Sequence, residues 1–501
     1  MAAPQKSRVF SGKMGSSVPV RVAIFLVVAM SIFGIVHSQI EDLEVAEVSP
    51  YFFLAIVVQV FPFILRSQSD PFQPSALTAF FHLVALVPTF TMFIVQHGLS
   101  LTLLPHVTGR TRIELVQTVL VAYTLGTFGY FVGYYFGPGR RLQVIFPSIA
   151  GMEWKRSRLL IVTAVCMAFF IPAYAYFQSR VGAGITDITQ LGAGKAVWRE
   201  DSSMSWLFRA VGIGAIPPLL YIALHYQKPN LRGMILTALF FFIIGFLTTR
   251  LGQRAYIIYL AFNALIVVHY LWRRVPIPVI AAGALIALVL SNILGSYRKP
   301  DAQVRGPANI MNVNAADALV EHEDDRLRFS AMAVLFHYFP DRRDYVLGES
   351  WAMLAVWFVP RWFWPEKAKT FVWRDTNIVP ELTGVSVPTT FLGLLYVNFS
   401  WVGIVLGMGF WGMFQRGLYE WLLRNQKDKN VVLIYSLTVM YFQPTTIQMA
   451  AAVGYLLPAY VAIRFMSTRP RVKMLAGRNT APALPEAPSP APLPAAGSAA
   501  E

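Results

Sequence analysis

Long apolar runs recur along almost the whole chain, and they leave few options for its fold. They cover residues 22–36, 50–65, 76–96, 116–136, 159–177, 206–225, 231–249, 255–272, 275–294, 391–414, 431–443 and 449–466. Most approach the ~20 residues that a helix needs to cross a bilayer core. Only a helix satisfies every backbone polar group within one such segment. The expected fold is therefore all-α, a polytopic transmembrane helical bundle of about twelve spans. With 56% hydrophobic and 14% charged residues, a water-solvated domain is excluded. The last two runs are separated by little more than Pro444, which favours a break between two helices. Lys6, Arg8, Lys13 and Arg21 flank the first run as in a secretory signal. No small-residue cleavage site follows it, so the expectation is a retained first span.

The formal charge is +16, but its distribution points to orientation in a membrane and to anionic lipid, not to nucleic acid. Counting along the twelve runs, alternate connections collect the cations: the N-terminal arm, Arg140-Arg141 with Lys155-Arg156-Arg158, Lys228 with Arg232, Arg273-Arg274, Arg424-Lys427-Lys429 and Arg469-Arg471-Lys473. By the positive-inside rule that side is cytoplasmic, and both termini lie there. The acidic connection holding Glu41, Asp42, Glu44 and Glu47 falls opposite. So does residues 295–390, one large outward-facing loop expected to contain short helices. The membrane domain is then residues 1–468. Residues 469–501 form a cytoplasmic tail rich in Pro and Ala, with too little apolar mass to fold.

Motifs of soluble enzymes are missing. There is no Walker loop, no dinucleotide fingerprint and no paired-His zinc motif, so no cofactor and no metal is expected. Cys166, the only cysteine, allows no disulfide within the chain. The glycine-rich stretch from Phe131 to Arg140 reads as a helix cap and turn in preference to a phosphate cradle. In the large loop, the acidic run from Glu321 to Asp325 reads as a solvated helix start. The apolar stretch from Phe329 to Phe339 reads as a helix that re-enters the membrane edge, a geometry tolerated only when buried in protein. Asp341-Arg342-Arg343-Asp344 reads as a polar turn.

Cations on the outward side suit an anionic headgroup. Arg250 and Arg254 bracket a connection, and Arg298 with Lys299 follows the exit of the span ending at residue 294. A guanidinium fork binds phosphate oxygens bidentately. The same arginines also fit a plainer role, snorkelling to outer headgroups. Spaced i and i+4, Arg250 and Arg254 would share one face if the turn between them were helical.

The stretch from Gly348 to Gly407 combines an amphipathic basic half with an apolar half. Its first apolar run, Trp351 to Phe363, is about two thirds of a spanning length. There, Arg361, Lys367 and Arg374 alternate with Trp357, Trp362, Trp364 and Trp373, a mixture typical of an interface. The segments FVPRWFWPEK (Phe358 to Lys367) and TTFLGLLYVNFSWVGIVLGMGFWG (Thr389 to Gly412) resemble the C-terminal signature of Wzy-type O-antigen and exopolysaccharide repeat-unit polymerases. In that signature a Pro-Arg-x-x-Trp-Pro-x-Lys pattern precedes a Gly-x-x-Tyr-x-Asn-Phe span. The likeness is close over some sixty-five residues; elsewhere only the topology is similar. The residue after Lys367 is Ala368 where the family would have proline.

This resemblance implies an enzyme of the bacterial cytoplasmic (inner) membrane, similar in architecture to GT-C glycosyltransferases. Its substrates would be undecaprenyl-diphosphate-linked oligosaccharides, polymerised at the outer membrane face by metal-independent glycosyl transfer. Membrane lipids, a chain-length regulator and a flippase are the partners it suggests. Arg361 and Lys367 would face the lipid diphosphate, joined by Arg250, Arg254 and Arg298, while Tyr396 and Asn398 would contact sugar. Glu349 and Glu366 rank ahead of Asp375 and Glu381 as the base that takes the acceptor's proton. An O-antigen ligase and a transporter or flippase of lipid-linked sugars are the alternatives.

Overall fold

The computed structural model describes residues 17–65, 70–95, 101, 104, 106–181, 212–227, 230–250, 254–283, 323–349, 351, 363–364, 390–443 and 449–468. These residues are mostly helical. In chain order the helices are α1 (Ser17–Ser38), α2 (Leu43–Leu65), α3 (Pro74–Val95), α4 (Gly109–Phe136), α5 (Arg156–Val181), α6 (Ile216–Gln227), α7 (Leu231–Arg250) and α8 (Arg254–Leu271). After them come α9 (Glu323–Tyr338), α10 (Phe391–Val402), a π-helical turn (Gly403–Gly407), α11 (Met408–Arg424), α12 (Lys429–Tyr441) and α13 (Met449–Met466). Among the described residues, seven helical stretches are long and apolar enough to cross a membrane, the seventh being Phe391–Arg424 taken through the break at Phe399 and Ser400. Four of the expected spans correspond to the shorter helices α6, α8, α12 and α13. The expected span over 275–294 is described only as far as residue 283. Large apolar side chains such as Val27, Phe128, Leu160, Phe242 and Phe410 point outward from their helices, as a lipid-solvated surface requires.

One helix pair sets the packing. Helix α4 carries Gly126, Gly129 and Gly133 on one stripe, continued by Gly137 just beyond its end. A Cβ on Gly129 would stand 2.6 Å from the carbonyl oxygen of Val405. One on Gly133 would collide with the carbonyl of Gly409, and one on Gly412 with that of Tyr130. Along both helices the partners advance together, so α4 runs parallel to the segment from Gly403 to Arg424, backbone against backbone. Small residues allow this approach in lipid, where helix association depends on close van der Waals contact. The glycine-rich stretch after Phe131 thus serves packing as well as capping. Gly137 does cap α4, its N–H donating to the carbonyls of Val132 and Gly133, but with an ordinary φ of −70° and not a left-handed one.

The apolar stretch beginning at Phe391 departs from the expected single span. The Phe391 ring lies 4.9 Å from that of Trp411, whereas twenty residues of straight helix would hold them about 30 Å apart. Leu395 packs against Gly403 and Gly407. The chain therefore rises from Phe391 to Asn398, turns over at Phe399 and Ser400, where φ/ψ leave the helical region, and descends from Gly403 to Arg424. The reason is local: Ser400 has φ 59° and ψ −154°, which no α-helix accommodates. Helix α9 begins in the acidic run at Glu323, and Ser330 through Leu335 are buried. Phe329 stacks on Phe52 of α2. The segment is thus buried in protein.

Contacts sort the connections into two ends. At one, the loop end, Glu47 and Glu44 pair with Arg110 and Arg112 at the start of α4, and His106 faces His337. At the other, the basic end, Asp70 accepts hydrogen bonds from Tyr270 (2.6 Å) and Tyr419 (3.1 Å). There Asp428 also accepts from the Gly151 N–H. A two-residue antiparallel pairing joins Glu153 to Thr468 and Trp154 to Ser467. The segments carrying Arg140-Arg141, Lys155 to Arg158 and Arg424 to Lys429 are thereby drawn together.

Gly133→Leu is expected to prevent recovery of folded protein from detergent, because overpacking against a backbone cannot relax through a rotamer change. The same substitution at Gly34, where a Cβ would meet nothing within 4 Å, is expected to leave thermal unfolding unchanged. Fluorescence-detected size exclusion after a heating series measures both.

Candidate functional site

The tip of the fold-back is where the polar chemistry of the loop end collects. Helix α10 starts with a side-chain cap, Thr390 Oγ1 accepting from the Gly393 N–H at 3.2 Å. Two turns on, Asn398 is wholly buried. A buried carboxamide is costly unless its donors and acceptor are used. Its Nδ2 donates to the Leu394 carbonyl at 2.7 Å, and its Oδ1 accepts the Gly348 N–H at 2.9 Å. The Val346 N–H donates to the Val397 carbonyl at 3.0 Å. Tyr396, also buried, donates its hydroxyl proton to the Phe339 carbonyl at 3.0 Å. Tyr396 and Asn398 thus hold the two ends of one segment, residues 339–348.

Aromatic rings complete the seat. Around the Tyr396 ring lie Phe336 at 4.2 Å, Tyr345 at 5.8 Å and Trp401 at 6.0 Å between centroids. Strained backbone gathers at the same place: Leu347 has φ 46°, Gly348 φ 96° and Ser400 φ 59°. For Leu and Ser this conformation costs of order 1–3 kcal/mol each, and such strain persists only where surrounding contacts impose it. Gly348 meets the requirement without a Cβ penalty.

The seated segment presents its charges outward. Asp341, Asp344 and Glu349 are exposed. The Arg342 guanidinium lies 5.0 Å from the Tyr338 ring centroid, a cation–π contact that fixes its direction. His337, at the outer tip of α9, faces His106 with centroids 6.3 Å apart. Burial lowers the His337 pKa, the Arg342 charge and His106 lower it further, and Asp341 opposes them. This end of α9 sets the His337 imidazole and the Arg342 guanidinium beside exposed carboxylates at one surface. Among the described residues, no three His, Cys, Asp or Glu side chains converge as a metal site would require.

Of the residues singled out in the sequence, Glu349, Tyr396 and Asn398 are brought together here. The polar atoms of Tyr396 and Asn398 are engaged by the protein's own backbone, which gives these two a positioning role. Arg250 is the last described residue of α7 and Arg254 the first of α8, and the three residues between them lie outside the described residues. Their helices contribute Ile244 and Tyr259 to a different core cluster from the one containing Tyr396. Arg298, Arg361, Glu366 and Lys367 lie outside the described residues. Reading the sequence places Arg342 in a polar turn, takes His337 as a lone structural histidine, and does not pair it with His106. The His106–His337 pair joins residues about 230 apart in the chain, so no local spacing marks it. No protein-family model, no curated protein and no solved structure matches the chain.

Asn398→Leu leaves the half-buried Gly348 N–H without its acceptor, at about 1 kcal/mol. Hydrogen exchange across residues 339–349 is expected to accelerate severalfold, with Tyr396→Phe giving a smaller change at the Phe339 end. Unaltered exchange in both variants would show that the two side chains do not hold the segment.

Proposed function

We propose that the chain is an oligosaccharide repeat-unit polymerase of the Wzy type, acting on undecaprenyl-diphosphate-linked sugars at the outer face of a bacterial inner membrane. The observation that carries this reading is the double hold on residues 339–348 by Tyr396 and Asn398. These are the two polar residues of the Tyr-x-Asn-Phe element, and they fasten a charged loop to the tip of a broken helix. Broken helices are where membrane proteins commonly build binding sites. The gathering of basic segments at the opposite end of the bundle supports a cytoplasmic location for that end and for both termini. About twelve spans remain the topology we favour.

In the proposed reaction the acceptor sugar's hydroxyl oxygen attacks the anomeric carbon of the growing chain. The bond from that carbon to the lipid diphosphate breaks, and the diphosphate leaves with the electron pair. Glu349, exposed at the end of the held segment, is the described carboxylate proposed to take the acceptor's proton. Glu366 is its counterpart beyond the described residues. Negative charge develops on the departing diphosphate, and preorganised cations stabilise it most where water is scarce. Arg342 is an exposed, described cation on the held segment itself. Arg361, Lys367, Arg298, Arg250 and Arg254 are the further candidates. Tyr396 and Asn398 shape the sugar site by fixing the loop.

The fold-back at Ser400 also favours a second reading, a transporter or flippase of lipid-linked sugars, since discontinuous helices are common in transporters. Membranes containing the protein, supplied with a lipid-linked repeat unit, separate the two. Polymerase activity gives a ladder of lengthened products, and Glu349→Gln at matched protein level is expected to slow it roughly 10²–10⁴-fold. Movement of the unit across the bilayer without any lengthening would replace the polymerase by the transporter, and an unimpaired Glu349→Gln would remove Glu349 as the base.

A further inference from the structure

At the basic end, far from the held loop, helices α6, α7 and α8 line an open-sided groove of about 780 Å³. Its body is apolar, walled by Phe241, Ala264 and Val268, and its rim carries His225, Trp272 and Arg273. Met234 and Phe241 both line it, so it extends about 10 Å along α7 from its basic mouth toward the middle of the bundle. An apolar slot edged by a cationic rim matches one kind of occupant, an amphiphile with a negative head.

The rim is built, not incidental. The His225 imidazole packs flush on Gly233, where any Cβ would run into the ring, 2.8 Å from Nε2. Arg273 follows the end of α8, with its N–H returned to the Val268 carbonyl at 3.2 Å. The next turn is fastened by the Val275 N–H donating to His269 Nδ1 at 3.1 Å. Arg232, Arg273 and Arg274 are all exposed, and among the described residues none of them has a carboxylate partner within an ion-pair distance. Trp272, 37% exposed, has the amphipathic ring that prefers the headgroup level.

We infer that this groove is a binding site for an anionic phospholipid of the leaflet at the basic end. One acyl chain lies along Phe241, Ala264 and Val268, and the phosphate meets Arg273 with His225. Charge complementarity selects the negative headgroup, since cytoplasmic-leaflet anionic lipids are drawn to exposed basic residues. The site lies at the opposite end of the bundle from the proposed transfer reaction and does not depend on it.

Native mass spectrometry of the delipidated full-length protein, titrated with phosphatidylglycerol or phosphatidylcholine, tests the inference. One phosphatidylglycerol is expected to bind in preference to phosphatidylcholine. Arg273→Ala is expected to weaken it about fivefold, the effect of losing one basic contact to an anionic lipid. Ala238→Trp, which fills the slot from an exposed position on α7, is expected to abolish the retained lipid while the protein stays monodisperse. Equal retention of the two lipids, or unchanged phosphatidylglycerol binding in both variants, would overturn the site. Tighter binding of a polyprenyl phosphate than of phosphatidylglycerol would overturn the assignment to phospholipid.

Discussion

Contact between two helix backbones, made possible by glycine, is the interaction on which the rest of this bundle depends. In lipid there is no hydrophobic gain from pressing two apolar helices together, so the attraction must come from close packing. Gly129 and Gly133 of α4 meet Val405 and Gly409 at a separation that leaves no room for a methyl group. Because the contact continues past Gly137 to Met413, it fixes the relative height of the two helices as well as their spacing. Every other placement at the loop end is referred to this pair.

A consequence appears where the second helix begins. With Gly403 to Arg424 committed to α4, the preceding residues cannot extend the same helix and fold back at Ser400. Leu392 and Leu395 fill the space beside Gly126 and Gly407. The tip so formed carries Asn398, and its carboxamide is satisfied only by reaching both its own helix and the Gly348 N–H. Tyr396 makes the matching bond to Phe339. Packing in the membrane thus dictates where a polar loop is held at the surface, and that loop carries the carboxylates and guanidinium available for chemistry.

Much of the plan was legible in the amino-acid sequence because hydropathy and charge act over long stretches. The helix over Gly109–Phe136 and the buried helix ending at Tyr338 follow from apolar runs. The basic connections that meet around Asp428 and Gly151 follow from the alternation of charge. The fold-back was not legible, since Phe391 to Gly407 has the same apolar composition whether it crosses the membrane or doubles over. The strain at Ser400 leaves no mark in residue type. The glycines of α4 were visible but ambiguous, because a glycine near a helix end signals a cap as readily as a contact. Tyr396 and Asn398 stood out through a family resemblance, yet their partners, Phe339 and Gly348, lie some fifty residues away and could be found only in three dimensions.

Disulfide trapping tests the parallel helix pair most directly. In a Cys166→Ser background, Gly137→Cys and Met413→Cys place two thiols where a Cβ on Gly137 would lie 2.5 Å from Met413 Cγ. Gly137 has an ordinary φ; shortening the methionine relieves one contact of its Cβ, and the end of α4 must shift by a few tenths of an ångström to relieve the other, 2.5 Å from the Gly133 carbonyl oxygen. Ala122→Cys with Met413→Cys supplies the comparison, about four helical turns away along α4. Oxidation of membranes with copper phenanthroline is expected to cross-link the 137/413 pair rapidly within one chain and to leave the 122/413 pair reduced. Efficient cross-linking of 122/413, or none of 137/413, would contradict the parallel register from which the held loop and its chemistry follow.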